Sequence, residues 1–121
     1  MEQILTLKDK VPPGEARNDF LLGAANIASS NDLEVAKKII AEIPESHQRQ
    51  DAIGMFTELY MRKDPVGLSE WLGELEPSES RDYAVSRFAT LLIKTDPERA
   101  RTWAETINDE KRRARVLKQL P

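Results

Sequence analysis

Asp64-Pro65-Val66-Gly67-Leu68-Ser69-Glu70-Trp71-Leu72-Gly73-Glu74-Leu75 returns 32 positions later as Asp96-Pro97-Glu98-Arg99-Ala100-Arg101-Thr102-Trp103-Ala104-Glu105-Thr106-Ile107. The same step backwards reaches Asp32-Leu33-Glu34-Val35-Ala36-Lys37-Lys38-Ile39-Ile40-Ala41-Glu42-Ile43. One step more leaves only an apolar skeleton, Ile4, Leu7 and Val11. Self-similarity at a fixed period of this size marks an array of supersecondary units that stack on one another. The units fall at about 1–31, 32–63, 64–95 and 96–121, within a single domain.

Columns in this frame give the secondary structure. In the first half of each unit they are Ile4/Ala36/Leu68/Ala100, Leu7/Ile39/Trp71/Trp103 and Val11/Ile43/Leu75/Ile107, all apolar. A fourth, Lys8/Ile40/Leu72/Ala104, is apolar in three of four units. The spacing i, i+3, i+4, i+7 is one face of an α-helix. The second half repeats the pattern with Phe20/Ala52/Ala84/Val116, Leu21/Ile53/Val85/Leu117 and Ala24/Phe56/Phe88/Leu120. Ile27/Leu59/Leu91 and Ala28/Tyr60/Leu92 continue that stripe. No period-2 alternation is sustained. The expectation is an all-α, right-handed solenoid of about four antiparallel helical hairpins, hence eight helices. The first of each pair should span about 11 residues and the second about 15, allowing for short connections.

The punctuation agrees. Asp64-Pro65 and Asp96-Pro97 combine an N-cap carboxylate with proline at the first helical position, where its missing N–H costs nothing. Asp32 gives the same start without the proline. Pro12-Pro13-Gly14, Pro44-Glu45-Ser46, Glu76-Pro77-Ser78 and Asn108-Asp109 supply turn or cap compositions between the two helices of each pair. The last unit stops at Pro121, so its second helix is short. The expectation is a module of a larger protein or an array closed by a terminal cap.

Composition excludes several classes of chemistry. The chain has 121 residues, no cysteine and one histidine, His47. Disulfides, thiolate catalysis and a multi-histidine zinc site are therefore ruled out. A net charge of −3 does not by itself call for a polyanionic partner. No apolar run is long enough for a membrane span, and no signal peptide is visible at Met1, which makes the cytoplasm the default compartment. Neither a nucleophile elbow, a zincin helix, a phosphate loop nor an acidic calcium loop occurs. The sequence reads as a non-enzyme with no cofactor, no metal and no small-molecule ligand.

An array of helical hairpins with a period near 32 resembles the tetratricopeptide and HEAT-like solenoid superfamily over nearly the whole length. The period differs from the tetratricopeptide value, and the tetratricopeptide W-x2-L-G-x2-Y and ankyrin T-P-L-H signatures are absent. The pattern D-P-x-x-A/L-x-x-W is similar to helical repeats of large bacterial proteins. The resemblance implies a scaffold whose first helices line a groove for a protein or peptide partner, and it transfers no functional residue.

Three polar features compete for a role. Arg17, Arg49, Arg81 and Arg113 form an invariant column, in phase with the apolar stripe of the second helices. A phosphate-tracking ladder belongs on the opposite face. The expected role is structural: buried guanidinium groups bonded to the free carbonyls ending the first helices, where the dipole is also negative, or to carboxylates of the same or adjacent hairpin such as Glu42, Glu45 and Glu74. Trp71 and Trp103 share a column with Leu7 and Ile39 and are expected in the core. The last helix carries Lys111, Arg112, Arg113, Arg115 and Lys118. Of these, Lys111, Arg112, Arg115 and Lys118 form the candidate contact surface of the alternative reading, a nucleic-acid-binding repeat. Acidity of the earlier units disfavours it: residues 64–95 hold three basic and six acidic side chains. No recurring residue set of the kind a base-by-base RNA code requires appears on the outer columns.

Overall fold

The computed structural model describes residues 7–121. Among them lie seven helices and no strand: α1 (Glu15–Asn31), α2 (Leu33–Ala41), α3 (His47–Lys63), α4 (Pro65–Glu74), α5 (Glu79–Leu92), α6 (Pro97–Ala104) and α7 (Glu110–Leu117). The described chain is all-α. The expected eighth helix, at the start of the chain, falls largely outside the described residues, of which Leu7 and Lys8 are helical. Long and short helices alternate as expected, although the short ones span 9, 10 and 8 residues rather than about 11. They end early because Ile43, Leu75 and Ile107 leave the helix to fill the core from the turn.

One aspartate closes each long helix and opens the next short one. The backbone N–H of Asp32, Asp64 and Asp96 donates to the carbonyl four residues back, on Ala28 (2.7 Å), Tyr60 (2.8 Å) and Leu92 (2.7 Å). Their carboxylates then accept from first-turn amides: Asp32 from Glu34 and Val35, Asp64 from Gly67 (2.9 Å), Asp96 from Arg99 (3.1 Å). A single extended residue thus satisfies orphan groups at both helix ends. The long helices α3, α5 and α7 start on Ser46, Ser78 and Asp109, each accepting from the amide three residues on. Gly14, at φ 102, precedes α1 in a conformation that only glycine adopts without strain.

This tight aspartate turn decides the packing. The long helices pack in series, α1 on α3, α3 on α5 and α5 on α7. Each short helix lies chiefly on the long helix before it, α2 on α1, α4 on α3 and α6 on α5, and more lightly on the one after. The hairpins expected from the frame paired each short helix with its successor; the closer partner is its predecessor. The core runs continuously from Leu21 through Ile39, Ile53, Phe56, Leu68 and Phe88 to Ala100. Val85, Ala89, Ala104, Ile107 and Val116 form a second cluster between α5, α6 and α7.

One expected core column fails. Ile27 is 69% exposed, Leu91 is 40% exposed, and Leu59 is half-buried. Six residues separate Ile27 from Leu21, which puts it about 120° round the helix from the stripe's centre. The positions buried instead are Ala25, Thr57 and Ala89. Thr57 is tolerated there because its hydroxyl donates to the Ile53 carbonyl at 2.7 Å. Ser29 does the same with Ala25 at 2.8 Å.

Candidate interaction surfaces

The arginine column lies at the start of the long helices, beside the ends of the short ones. Arg17 Nε donates to the Val11 carbonyl (3.1 Å), Arg49 Nη1 to Ile43 (3.0 Å) and Arg113 Nη1 to Ile107 (2.7 Å). The acceptor is six residues back each time. Arg81 departs from this pattern and donates to Thr106 of the following unit at 3.3 Å, in solvent. All four side chains are half-buried, short of the burial expected from the sequence. A charged head on a long aliphatic stem can reach a carbonyl while keeping contact with water. Arg49 also has Glu45 Oε2 within 3.6 Å of its Nε.

Two carboxylates that the column pattern does not single out bridge the units. Glu45, in the turn before α3, accepts from both the backbone amide (2.6 Å) and the hydroxyl (2.7 Å) of Ser80 in α5. Asp82 of α5 is 4% exposed, and its two oxygens accept from the amides of Asn108 (3.0 Å) and Asp109 (2.9 Å). Gln48 of α3 donates to Asp19 of α1 at 3.0 Å, and Arg87 of α5 pairs with Glu58 of α3. None of these pairs recurs 32 positions on, so no column revealed them. The turn at 106–109 is held from three directions, by Arg81, Arg113 and Asp82.

Trp71 and Trp103 are half-buried, each edge-on to the phenylalanine of the preceding long helix. The pairs are Phe56–Trp71 at 4.7 Å and Phe88–Trp103 at 5.4 Å between centroids. The remaining face of Trp103 contributes to an open groove of about 720 Å³ between α4 and α6, together with Ser69, Glu98, Arg99, Thr102 and Thr106. The hinge residue Asp96 lines it as well, and apart from Trp103 the lining side chains are polar; Asp96, Glu98 and Trp103 stand in columns that recur, and Ser69, Arg99 and Thr106 do not.

Lys111, Arg115 and Lys118 are exposed along one face of α7. Arg112 is half-buried and lies over the Tyr83 ring, 5.4 Å from its centroid. The candidate basic surface therefore divides: one arginine is engaged with α5, and three cations face outward. In α2, Lys37 Nζ donates to Tyr60 Oη (3.2 Å) and Glu34 Oε1 (3.1 Å). Desolvation alone would lower the pKa of Lys37. Its hydrogen bonds to Tyr60 and Glu34, with the attraction of both, outweigh that and raise it above the ordinary lysine value.

Among the described residues, no three His, Asp or Glu side chains converge as a metal site, and no helix is long and apolar enough to cross a membrane. No protein-family model, curated protein or solved structure matches the chain.

Proposed function

We propose that the chain is a right-handed solenoid of four helical hairpins that serves as a non-catalytic scaffold and holds a protein or peptide segment in the groove between α4 and α6. The support is a division of labour between recurring and non-recurring residues. Residues that recur at 32 positions are spent inside: the aspartate hinges, the Phe–Trp pairs, the arginine–carbonyl bonds. In the groove lining, Asp96, Glu98 and Trp103 belong to recurring columns, whereas Ser69, Arg99 and Thr106 do not, as expected where part of a surface is fitted to a particular partner rather than to its own neighbour. Trp103 carries the reading: its inner edge is anchored on Phe88, so its outer face is a rigid aromatic platform beside Arg99 and Glu98. Rigid aromatics flanked by charge are the usual anchors of peptide recognition.

A displayed peptide library selected on the protein tests this. Selected peptides should lose at least about tenfold in affinity, roughly 1.4 kcal/mol, on Thr102→Arg or Ser69→Arg. Both positions line the groove, and the helical dichroism should be unchanged. Peptides that bind both variants as well as the parent would remove the groove from the account.

A further inference from the structure

We infer, on the groove reading above, that the partner segment enters the α4–α6 groove with an arginine, whose guanidinium stacks on Trp103 and pairs with Glu98. The hydroxyl groups of the lining set the polarity of the groove. Ser69 Oγ donates to the Val66 carbonyl (2.8 Å), Thr102 Oγ1 to that of Glu98 (3.1 Å) and Thr106 Oγ1 to that of Trp103 (2.7 Å). A hydroxyl has one proton, so these three oxygens offer a ligand lone pairs and no donor. Asp96 and Glu98 add carboxylates, which also only accept.

The two carboxylates differ in what they already hold. Asp96 Oδ1 accepts from the Arg99 amide at 3.1 Å, and its Oδ2 lies 3.6 Å from Arg99 Nε. That contact offsets the charge of Arg99, which supplies the positive charge of the lining. Glu98 is exposed, and among the described residues no cationic nitrogen lies within 4.0 Å of its carboxylate. The charge left uncompensated in the groove is therefore negative and belongs to Glu98. Trp103 supplies the other half of the site. It stands edge-on to Phe88, with the ring planes 80° apart. Among the described residues, the cations that lie over aromatic rings are Lys37 on Tyr60, and Arg87 and Arg112 on Tyr83, so the indole face keeps none of its own. That face is electron-rich and attracts a cation more strongly than phenol or phenyl does. An ammonium meets the carboxylate as a point charge. A guanidinium is planar, so it stacks on the indole while its rim donates to several acceptors at once. An anionic partner would instead meet Glu98 and three hydroxyls with no proton to give.

The displayed peptide library selected on the full chain supplies the probes. Peptides whose binding is lost on Thr102→Arg should share an arginine. Resynthesised with glutamine in its place, they should bind roughly tenfold more weakly, and lysine should recover part of that loss. Glu98→Gln, at an exposed position that leaves the helical dichroism unchanged, should weaken the arginine peptides about two- to fivefold, and less so in high salt. Trp103→Phe keeps an aromatic edge against Phe88 and should weaken them by a similar factor, about two- to fivefold. Arg99→Gln removes a like charge and should leave their affinity equal or higher. Peptides that are lost on Thr102→Arg yet carry no arginine, or that tolerate its replacement by glutamine, would overturn this inference and leave the groove reading standing. So would peptides weakened by Arg99→Gln and indifferent to Glu98→Gln, which would assign the groove to an anionic partner. A selection that yields no peptide sensitive to Thr102→Arg would remove both.

Discussion

Glu45 and Ser80, 35 positions apart, are joined by two short hydrogen bonds through one carboxylate, to the amide at 2.6 Å and to the hydroxyl at 2.7 Å. The amide is the second of α5, one of the orphan donors at a helix start. A residue of one unit thus caps a helix of the next. Glu45→Ala should cost about 1–3 kcal/mol, since both donors lose their acceptor. Ser80→Ala should cost less, and a double-mutant cycle in urea denaturation should give a coupling near 1 kcal/mol. Additive effects would show that the contact contributes nothing.

Asp82 uses both oxygens on two backbone amides, so a single-acceptor substitute is no rescue. Asn at this position presents an NH2 to one of two N–H donors. Asp82→Asn should therefore destabilise nearly as much as Asp82→Ala, by roughly 2–4 kcal/mol for a buried charged acceptor. Thermal melts of the pair check this; an Asn variant as stable as the parent would contradict it.

The arginine column should grade by exposure. Arg113→Ala and Arg49→Ala remove half-buried, charge-assisted bonds and should cost about 1–3 kcal/mol. Arg81→Ala removes a 3.3 Å bond in solvent, and should cost under about 1 kcal/mol. Equal losses in chemical denaturation would mean that the column acts through packing rather than through these bonds.

What the sequence revealed was whatever recurs. Asp32, Asp64 and Asp96 as helix starts, alternating long and short helices, and the buried Ile39, Ile53, Phe56, Leu72 and Phe88 followed from periodicity and cap chemistry alone. Contacts between units made by single residues were not legible. Glu45 and Asp82 occupy columns that are not uniform, Pro13/Glu45/Pro77/Asp109 and Asn18/Gln50/Asp82/Ala114, and nothing in a linear pattern pairs them with Ser80 or Asn108. Ile27 misled because an apolar residue at the rim of a stripe satisfies the same spacing as one at its centre. The side on which a short helix packs is set by the length of the aspartate turn, which columns do not report.

Gly67 offers a test of equivalence between units. A Cβ built there would lie 2.6 Å from Tyr60 Oη and 2.4 Å from Asp64 Oδ2. The corresponding positions in the neighbouring units are Val35 and Arg99, and the position of Tyr60 is taken there by Ala28 and Leu92. Gly67→Ala should destabilise by about 1–3 kcal/mol through overpacking. Adding Tyr60→Leu should recover part of that loss, as judged by melting temperature. A double variant no better than the sum of its parts would argue against equivalence.

Lys37 predicts an alkaline effect of definite sign. Its folded pKa is raised, chiefly against desolvation by the bonds to Tyr60 and Glu34. The stabilisation is therefore fully present below the ordinary lysine pKa of about 10.4 and is lost as pH rises through the folded value. The side chain keeps 23% of its surface in water, and screening there holds the effect under about 1 kcal/mol. The stability difference between parent and Lys37→Met should be constant at neutral pH and vanish above the folded pKa; a difference that grows with pH would reverse the assignment.

The proposed solenoid requires the 32-residue unit to be a physical module. Removing residues 64–95 and joining Lys63 directly to Asp96 tests this most directly. Three units would remain, with Glu45 opposite Arg112 in the position of Ser80 and Gln50 in that of Asp82. Stacked repeats lose stability unit by unit while keeping their fold. The shortened chain should retain parental helicity per residue by far-UV circular dichroism and unfold cooperatively at a lower temperature. A chain that loses its helical signal, or melts without a cooperative transition, would contradict the repeat on which the account is built.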